Sequence, residues 1–152
     1  MALTSQQSTA STTSPPLRVL LVDDNADLVL ALMLILGSRG YDVHGLYDPF
    51  EVLPLVQRVR PNVIVLDLAM PGKSGYVLAA ELRAHYGTKP VLIAMSGEFY
   101  SKADVLACAQ AGFAHHCRKP CDPHHLLALL EAYASPRFKL ASPRGFEPRL
   151  PP

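Results

Sequence analysis

The chain is poor in cysteine, in net charge and in long apolar runs, and each shortage removes a class of protein. Three cysteines in 152 residues, Cys108, Cys117 and Cys121, are an odd number placed late, which does not make a disulfide framework and fits a reducing compartment. The apolar run Leu28–Leu36 is far too short to cross a bilayer. Residues 1–16 have neither a basic n-region nor an apolar h-region, so they read as a disordered N-terminal segment rather than a signal peptide. Formal net charge is +1, divided into −2 over residues 17–134 and +3 over the last eighteen. No basic stripe marks the body as a nucleic-acid groove. A cytoplasmic protein without nucleic-acid or membrane contacts is expected.

What remains is a chain that is 49% hydrophobic and 18% charged, enough for one core over residues 17–134. Strand and helix signals alternate along it. Leu17–Val22, Tyr41–Leu46, Asn62–Leu66, Pro90–Met95 and Phe113–Cys117 are short, mostly continuous apolar runs. Helices are predicted over 25–38, from Asp48-Pro49-Phe50-Glu51 onward, and over 74–86, 100–111 and 123–134. Pro54 should shorten or kink the second of these. Apolar rather than alternating strands imply a parallel sheet covered on both faces. The fold class is therefore α/β: a doubly wound five-stranded parallel sheet, flavodoxin-like order 2-1-3-4-5, with helices on both faces.

Polar residues stand where such a sheet binds ligands, outside the carboxyl ends of its strands. Asp23-Asp24 follow the first run, Asp67 the third, Ser96 the fourth, and Lys119-Pro120 the fifth. Three carboxylates brought together must be neutralised, and a hard cation such as Mg2+ does so through oxygen ligands. One of Asp23 and Asp24 can bind it directly and the other through water. Asp67 can add a ligand and still present an oxygen to phosphorus. Lys119 supplies a positive point charge and Ser96 a hydrogen-bond donor for phosphoryl oxygens. Singly, each residue reads as a cap, a turn residue or a solvated charge. Their joint placement at four strand ends favours a site.

The pieces Leu21-Val22-Asp23-Asp24-Asn25, Val65-Leu66-Asp67 through Met70-Pro71 to Gly75, Met95-Ser96-Gly97 and Arg118-Lys119-Pro120 resemble the receiver domain of response regulators in two-component signalling, of the CheY-like superfamily. The resemblance spans Leu17–Ala134. It implies that Asp67 is the phospho-acceptor, with Asp24, Asp67 and the Ala69 carbonyl as direct metal ligands and Asp23 a ligand through water. It implies Ser96 as the switch hydroxyl, Lys119 as the phosphate-binding lysine, and a cis peptide at Lys119-Pro120. His116 replaces the usual switch aromatic, as in receivers attached to hybrid sensor kinases. Ala69 and Glu98 fall where the family tunes dephosphorylation, and small Ala69 implies a short-lived phosphoryl group. The implied role is a single-domain, non-enzymatic regulator that takes a phosphoryl group from a histidine kinase or phosphotransfer protein and signals by altered contacts with a downstream protein or a second copy of itself. One rival is a degenerate receiver serving as an unphosphorylated binding or dimerisation module. Another is a small hydrolase on the same fold, disfavoured by adjacent Asp23-Asp24 in place of Asp-x-Asp and by the lack of a glycine-rich phosphate loop.

Three further features compete for attention. The string from His115 to His125 has the composition of a zinc site, but strand alternation sends His115 and Cys117 one way and His116 the other, so Cys117 is expected in the core. The first helix is apolar on every face. If the sheet covers Leu28, Leu32, Ile35 and Leu36, then Val29, Leu30, Met33 and Leu34 are left either to be covered by neighbouring loops or to form a partner surface, and in the second case Met33→Glu should slow phosphotransfer from a protein donor. The tail, residues 135–152, lacks periodicity, and Gly145-Phe146-Glu147-Pro148 is what translation of a transfer-RNA gene's invariant loop yields. It reads as a disordered or non-native tail.

Overall fold

The computed structural model describes residues 14–97 and 101–134. Expectations for residues 1–13, Glu98 and the tail 135–152 lie outside the described residues. Five strands, β1 (Arg18–Val22), β2 (Asp42–Leu46), β3 (Val63–Asp67), β4 (Val91–Ser96) and β5 (Phe113–Arg118), alternate with α1 (Ala26–Ser38), α2 (Val52–Val59), α3 (Gly75–Tyr86), α4 (Lys102–Gln110) and α5 (Pro123–Ala134). The strands pair in parallel in the order β2-β1-β3-β4-β5, as the sequence predicts. Continuous apolar runs suit this sheet because both faces are covered. Val19, Leu21, Val65, Ile93 and Met95 face Leu32 and Leu36 of α1 and Leu126 and Leu130 of α5. Leu20, Val22, Ile64, Leu66 and Ala94 face α2, α3 and Cys108 of α4.

Helix starts follow local chemistry. Asn25 Oδ1 accepts from Leu28 N at 3.2 Å, and Ser74 Oγ accepts from Val77 N at 3.2 Å. Ser101 and Asp104 form a reciprocal capping box at α4. A 3-10 turn over Pro49–Glu51, opened by Asp48, precedes α2, so Pro54 falls in the first turn, where a missing N–H leaves no intrahelical bond unmade.

Two features were not readable from periodicity. Gly45 of β2 lets α1 approach so closely that a Cβ there would lie 2.5 Å from Val29 Cγ1 and 2.6 Å from Met33 Sδ. Val29 is therefore buried, not part of an outer surface, and Met33 is half-buried. The second feature is Arg83. It donates to Gly87 O at 3.1 Å, Pro90 O at 2.8 Å and Gly112 O at 2.7 Å, joining the end of α3 to the starts of β4 and β5. Burial lowers its pKa, and the three carbonyls are what satisfy the partly desolvated guanidinium. Arg83→Met should lower unfolding free energy by about 2 kcal/mol, read as a lower urea midpoint at unchanged slope. A midpoint equal to that of the parent would show the three bonds contribute nothing.

Candidate functional site

The chain order reverses at β1, which has β2 on one side and β3 on the other, so a crevice opens between the ends of β1 and β3. Asp23 follows β1 and Asp67 closes β3. The segments that carry the site are tied to neighbouring strand ends by backbone hydrogen bonds. Asp23 N donates to Leu46 O at 3.1 Å, Leu68 N to Met95 O at 2.9 Å, and Lys119 N to Ser96 O at 2.8 Å. Gly75 N donates to Leu68 O at 3.0 Å, and a Cβ at Gly75 would lie 2.5 Å from Asp67 O. Only glycine lets α3 start this close to the acceptor strand.

Lys119 Nζ stands 2.6 Å from Asp23 Oδ2 and 3.3 Å from Asp67 Oδ2. Asp23 is fully buried, Asp67 is 3% exposed, and Asp24 is exposed at the mouth. Asp23 Oδ1 accepts from Asn25 N at 2.9 Å, and Asp67 Oδ1 from Ala69 N at 3.2 Å. Burial raises the Asp67 pKa and the Asp23 charge adds to this, while the Ala69 N–H and Lys119 pull the other way. Burial alone would lower the Lys119 pKa, but its contacts with Asp23 and Asp67 outweigh that and hold its ammonium above its ordinary value. Ser96 is buried at the end of β4, one residue beyond the register partner of Asp67. His116 is half-buried on β5, in register with Ala94. The Lys119-Pro120 peptide is cis, and so is Lys89-Pro90, which was not anticipated.

One carboxylate oxygen from each of Asp23, Asp24 and Asp67 lies within 4.8 Å of the others, and this is the metal-ligand cluster found among the described residues. Asp23 Oδ2 makes no well-formed hydrogen bond there although the ammonium is close, so a buried acceptor is available to a cation. Hard oxygen donors of this kind fit Mg2+, with the Ala69 carbonyl on the same loop. When bound, Mg2+ supplies positive charge to the acids and to phosphoryl oxygens. The histidines and cysteines of the His115–His125 string form no such cluster. Cys117 packs in the core, and His115 bonds Tyr133 Oη at 2.6 Å.

A crevice that opposes an ammonium to three carboxylates at the switch point of a doubly wound sheet defines a cation-dependent phosphoryl site of a regulatory domain. The family model described as "Response regulator receiver domain" matches residues 19–131, and the chain belongs to that family. It is similar to the DNA-binding response regulator MtrA of Mycobacterium leprae, 31% identical over 115 residues covering 76% of this chain and 50% of that protein. It is also similar to the response regulator MprA of Mycobacterium sp. strain KMS, 32% identical over 117 residues, 77% of this chain and 50% of that one. The chain thus spans about half the length of these relatives. Among solved structures, a response regulator receiver protein from Pseudomonas putida superposes with a TM-score of 0.70 at 30% identity over 78% of this chain and 98% of that one. The chemotaxis response regulator CheY4 of Vibrio cholerae gives 0.70 at 26% identity, over 77% and 98%. Among the described residues no helix is long and apolar enough to cross a membrane.

The raised Asp67 pKa has a thermodynamic consequence. The folded state holds the Asp67 proton to higher pH than the unfolded chain, so stability falls as pH rises between the two pKa values. Above that interval the full cost of the ionised, buried group is present. At pH 7 in EDTA, Asp67→Asn should therefore melt above the parent, by about 4 °C for on the order of 1 kcal/mol. Mg2+ should raise the parent's Tm more than the variant's. A variant that melts lower in EDTA would contradict this electrostatic account.

Proposed function

We propose that Asp67 accepts a phosphoryl group from a phosphohistidine donor, a histidine kinase or phosphotransfer protein, and that this changes the contacts the domain makes with other proteins. The observation that carries the reading is Lys119 Nζ held between Asp23 and Asp67, a half-buried ammonium beside the carboxylate that would be modified. Transfer breaks the P–N bond of the donor and forms an O–P bond at Asp67. The Ala69 N–H fixes Oδ1 and Lys119 approaches Oδ2, so the carboxylate plane is set before the donor arrives. Lys119 then has charge to offer phosphoryl oxygens, and Ser96 a hydroxyl from the next strand. Asp24, Asp67 and the Ala69 carbonyl would hold Mg2+ directly and Asp23 through water, supplying positive charge to the acids and to phosphoryl oxygens. Ser96 and His116 are the residues whose rearrangement would report the modification. Exposed Ala69 puts no bulk beside Asp67, which supports a short phosphoryl lifetime.

Incubation of the full chain with acetyl phosphate and Mg2+ should add roughly 80 Da, the mass of one phosphoryl group. Asp67→Asn should abolish the adduct, and Lys119→Ala should slow its formation by about a hundredfold. An unmodified parent protein would overturn the proposal.

The donor surface is narrower than the sequence implied. Leu30 is 50% and Leu34 77% exposed on α1, whereas Val29 is buried and Met33 packs toward Gly45. A glutamate at Met33 would disturb folding as well as docking, so Leu34 is the informative position. Leu34→Glu should slow transfer from a phosphohistidine protein donor by about tenfold, the loss of one apolar contact, and leave acetyl phosphate labelling unchanged. Identical donor rates for parent and variant would remove α1 from the docking surface.

A further inference from the structure

The loop from Leu68 to Ser74 joins the acceptor strand to α3 and carries Ala69. Leu68 N and Gly75 N tie its two ends to Met95 O and Leu68 O, and Met70 is buried in the core. Pro71 and Gly72 are exposed, and what holds them lies outside the cation cluster. The Phe50 ring rests on Gly72, where φ is +83° and a Cβ would lie 3.2 Å from Phe50 Cε2. Lys73 Nζ sits 5.3 Å from the centroid of that ring and 2.6 Å from Glu81 Oε2 of α3. We propose that Phe50, Lys73 and Glu81 are a clamp that positions this loop, so that the Ala69 carbonyl meets the cation site in fixed geometry and the site favours Mg2+ over Ca2+.

The placement of Lys73 shows that the contact is specific. A positive charge just ahead of a helix start opposes the helix dipole. Lys73 instead extends along α3, and its side chain is only 15% exposed. Glu81 Oε2 is buried, with this ammonium as the cation facing it. Removing one partner of such a pair is costly because the other charge is left unanswered. Phe50, 62% exposed in the 3-10 turn that Asp48 caps, offers its ring to the same ammonium. One aromatic thereby covers both the glycine and the lysine, and joins the loop to the segment after β2 as well as to α3.

The path from the clamp to Ala69 is short. Only Met70 and Pro71 separate Ala69 from Gly72. Pro71 fixes its own φ and confines Met70 to extended conformations, while the buried Met70 side chain resists following the loop. A shift of Gly72-Lys73 is therefore taken up by rotation of the peptide that carries the Ala69 carbonyl. Mg2+ demands near-ideal octahedral positions, whereas Ca2+ accepts a variable number of ligands in flexible geometry. Loosening the loop thus penalises Mg2+ more than Ca2+.

The clamp rests on the Ala69 carbonyl being a ligand, as proposed above, and not on phosphoryl transfer to Asp67. The full chain is titrated with MgCl2, and separately with CaCl2, at constant ionic strength, following backbone amide shifts in nitrogen–proton correlation spectra. Lys73→Met should weaken Mg2+ binding by about tenfold and Ca2+ binding by less than about threefold. Charge alone would act in the opposite direction, since removing an ammonium from a loop beside the acids favours a cation. Phe50→Leu, which changes no charge, should shift the ratio of the two affinities the same way. Lys73→Arg, which keeps a cation over the ring, should stay within about twofold of the parent. Variants at Lys73 and Phe50 that bind Mg2+ as tightly as the parent, or that lose Mg2+ and Ca2+ equally, would overturn the clamp. A parent chain whose spectra do not respond to Mg2+ would refute the cation cluster itself, and the clamp with it.

Discussion

Lys119 against Asp23 and Asp67 is the interaction on which the functional end of the fold depends. Asp23 has no solvent exposure and Asp67 almost none, so their charges are far costlier there than at a surface unless a cation answers them. One ammonium at 2.6 and 3.3 Å answers two carboxylates only in part, and Asp24 adds a third charge at the mouth. The site is left short of positive charge by construction. That deficit is what makes it receptive to Mg2+. It also explains why the lysine is not simply a structural counter-ion: its charge is already divided between two partners and can be redistributed when a phosphoryl group enters.

Such a cluster survives only because the backbone holds it rigidly. Each strand end that contributes a side chain also exchanges a backbone bond with its neighbour, from Leu46 through Asp23 on one side and from Met95 and Ser96 to Leu68 and Lys119 on the other. The side chains therefore project from a continuous parallel ladder and not from independent loops. Gly75 extends this by letting the start of α3 rest on the Asp67–Leu68 backbone, which braces the acceptor from behind.

The sheet was legible because its strands are apolar runs interrupted by polar residues, and burial on both faces leaves little else such runs can do. The same interruptions marked Asp23, Asp67 and Ser96, since a polar residue closing a buried strand stands out from its neighbours. Legibility failed where contacts depend on distance between elements. The helical period of α1 could not tell Val29 from Leu30, because the difference is made by Gly45 on another strand. Arg83 looked like any polar helix residue, and its three acceptors come from Gly87, Pro90 and Gly112, which are adjacent only after folding. Pro54 sits in the first turn of α2 behind a 3-10 turn, a helix start that periodicity does not mark.

The shared burial of Cys117 and Cys121 belongs to the same class of fact. In the sequence, strand alternation put Cys117 in the core, and nothing marked Cys121 for burial. Folding turns the chain at Lys119-Pro120 so that both sulfurs enter one apolar layer, beneath a lysine whose head sits among carboxylates. A short segment thus has its backbone fixed to Ser96, its side chain committed to two acids, and a buried cysteine on either side. The most charge-sensitive atom of the site therefore sits at the middle of a turn whose two ends are buried in the core.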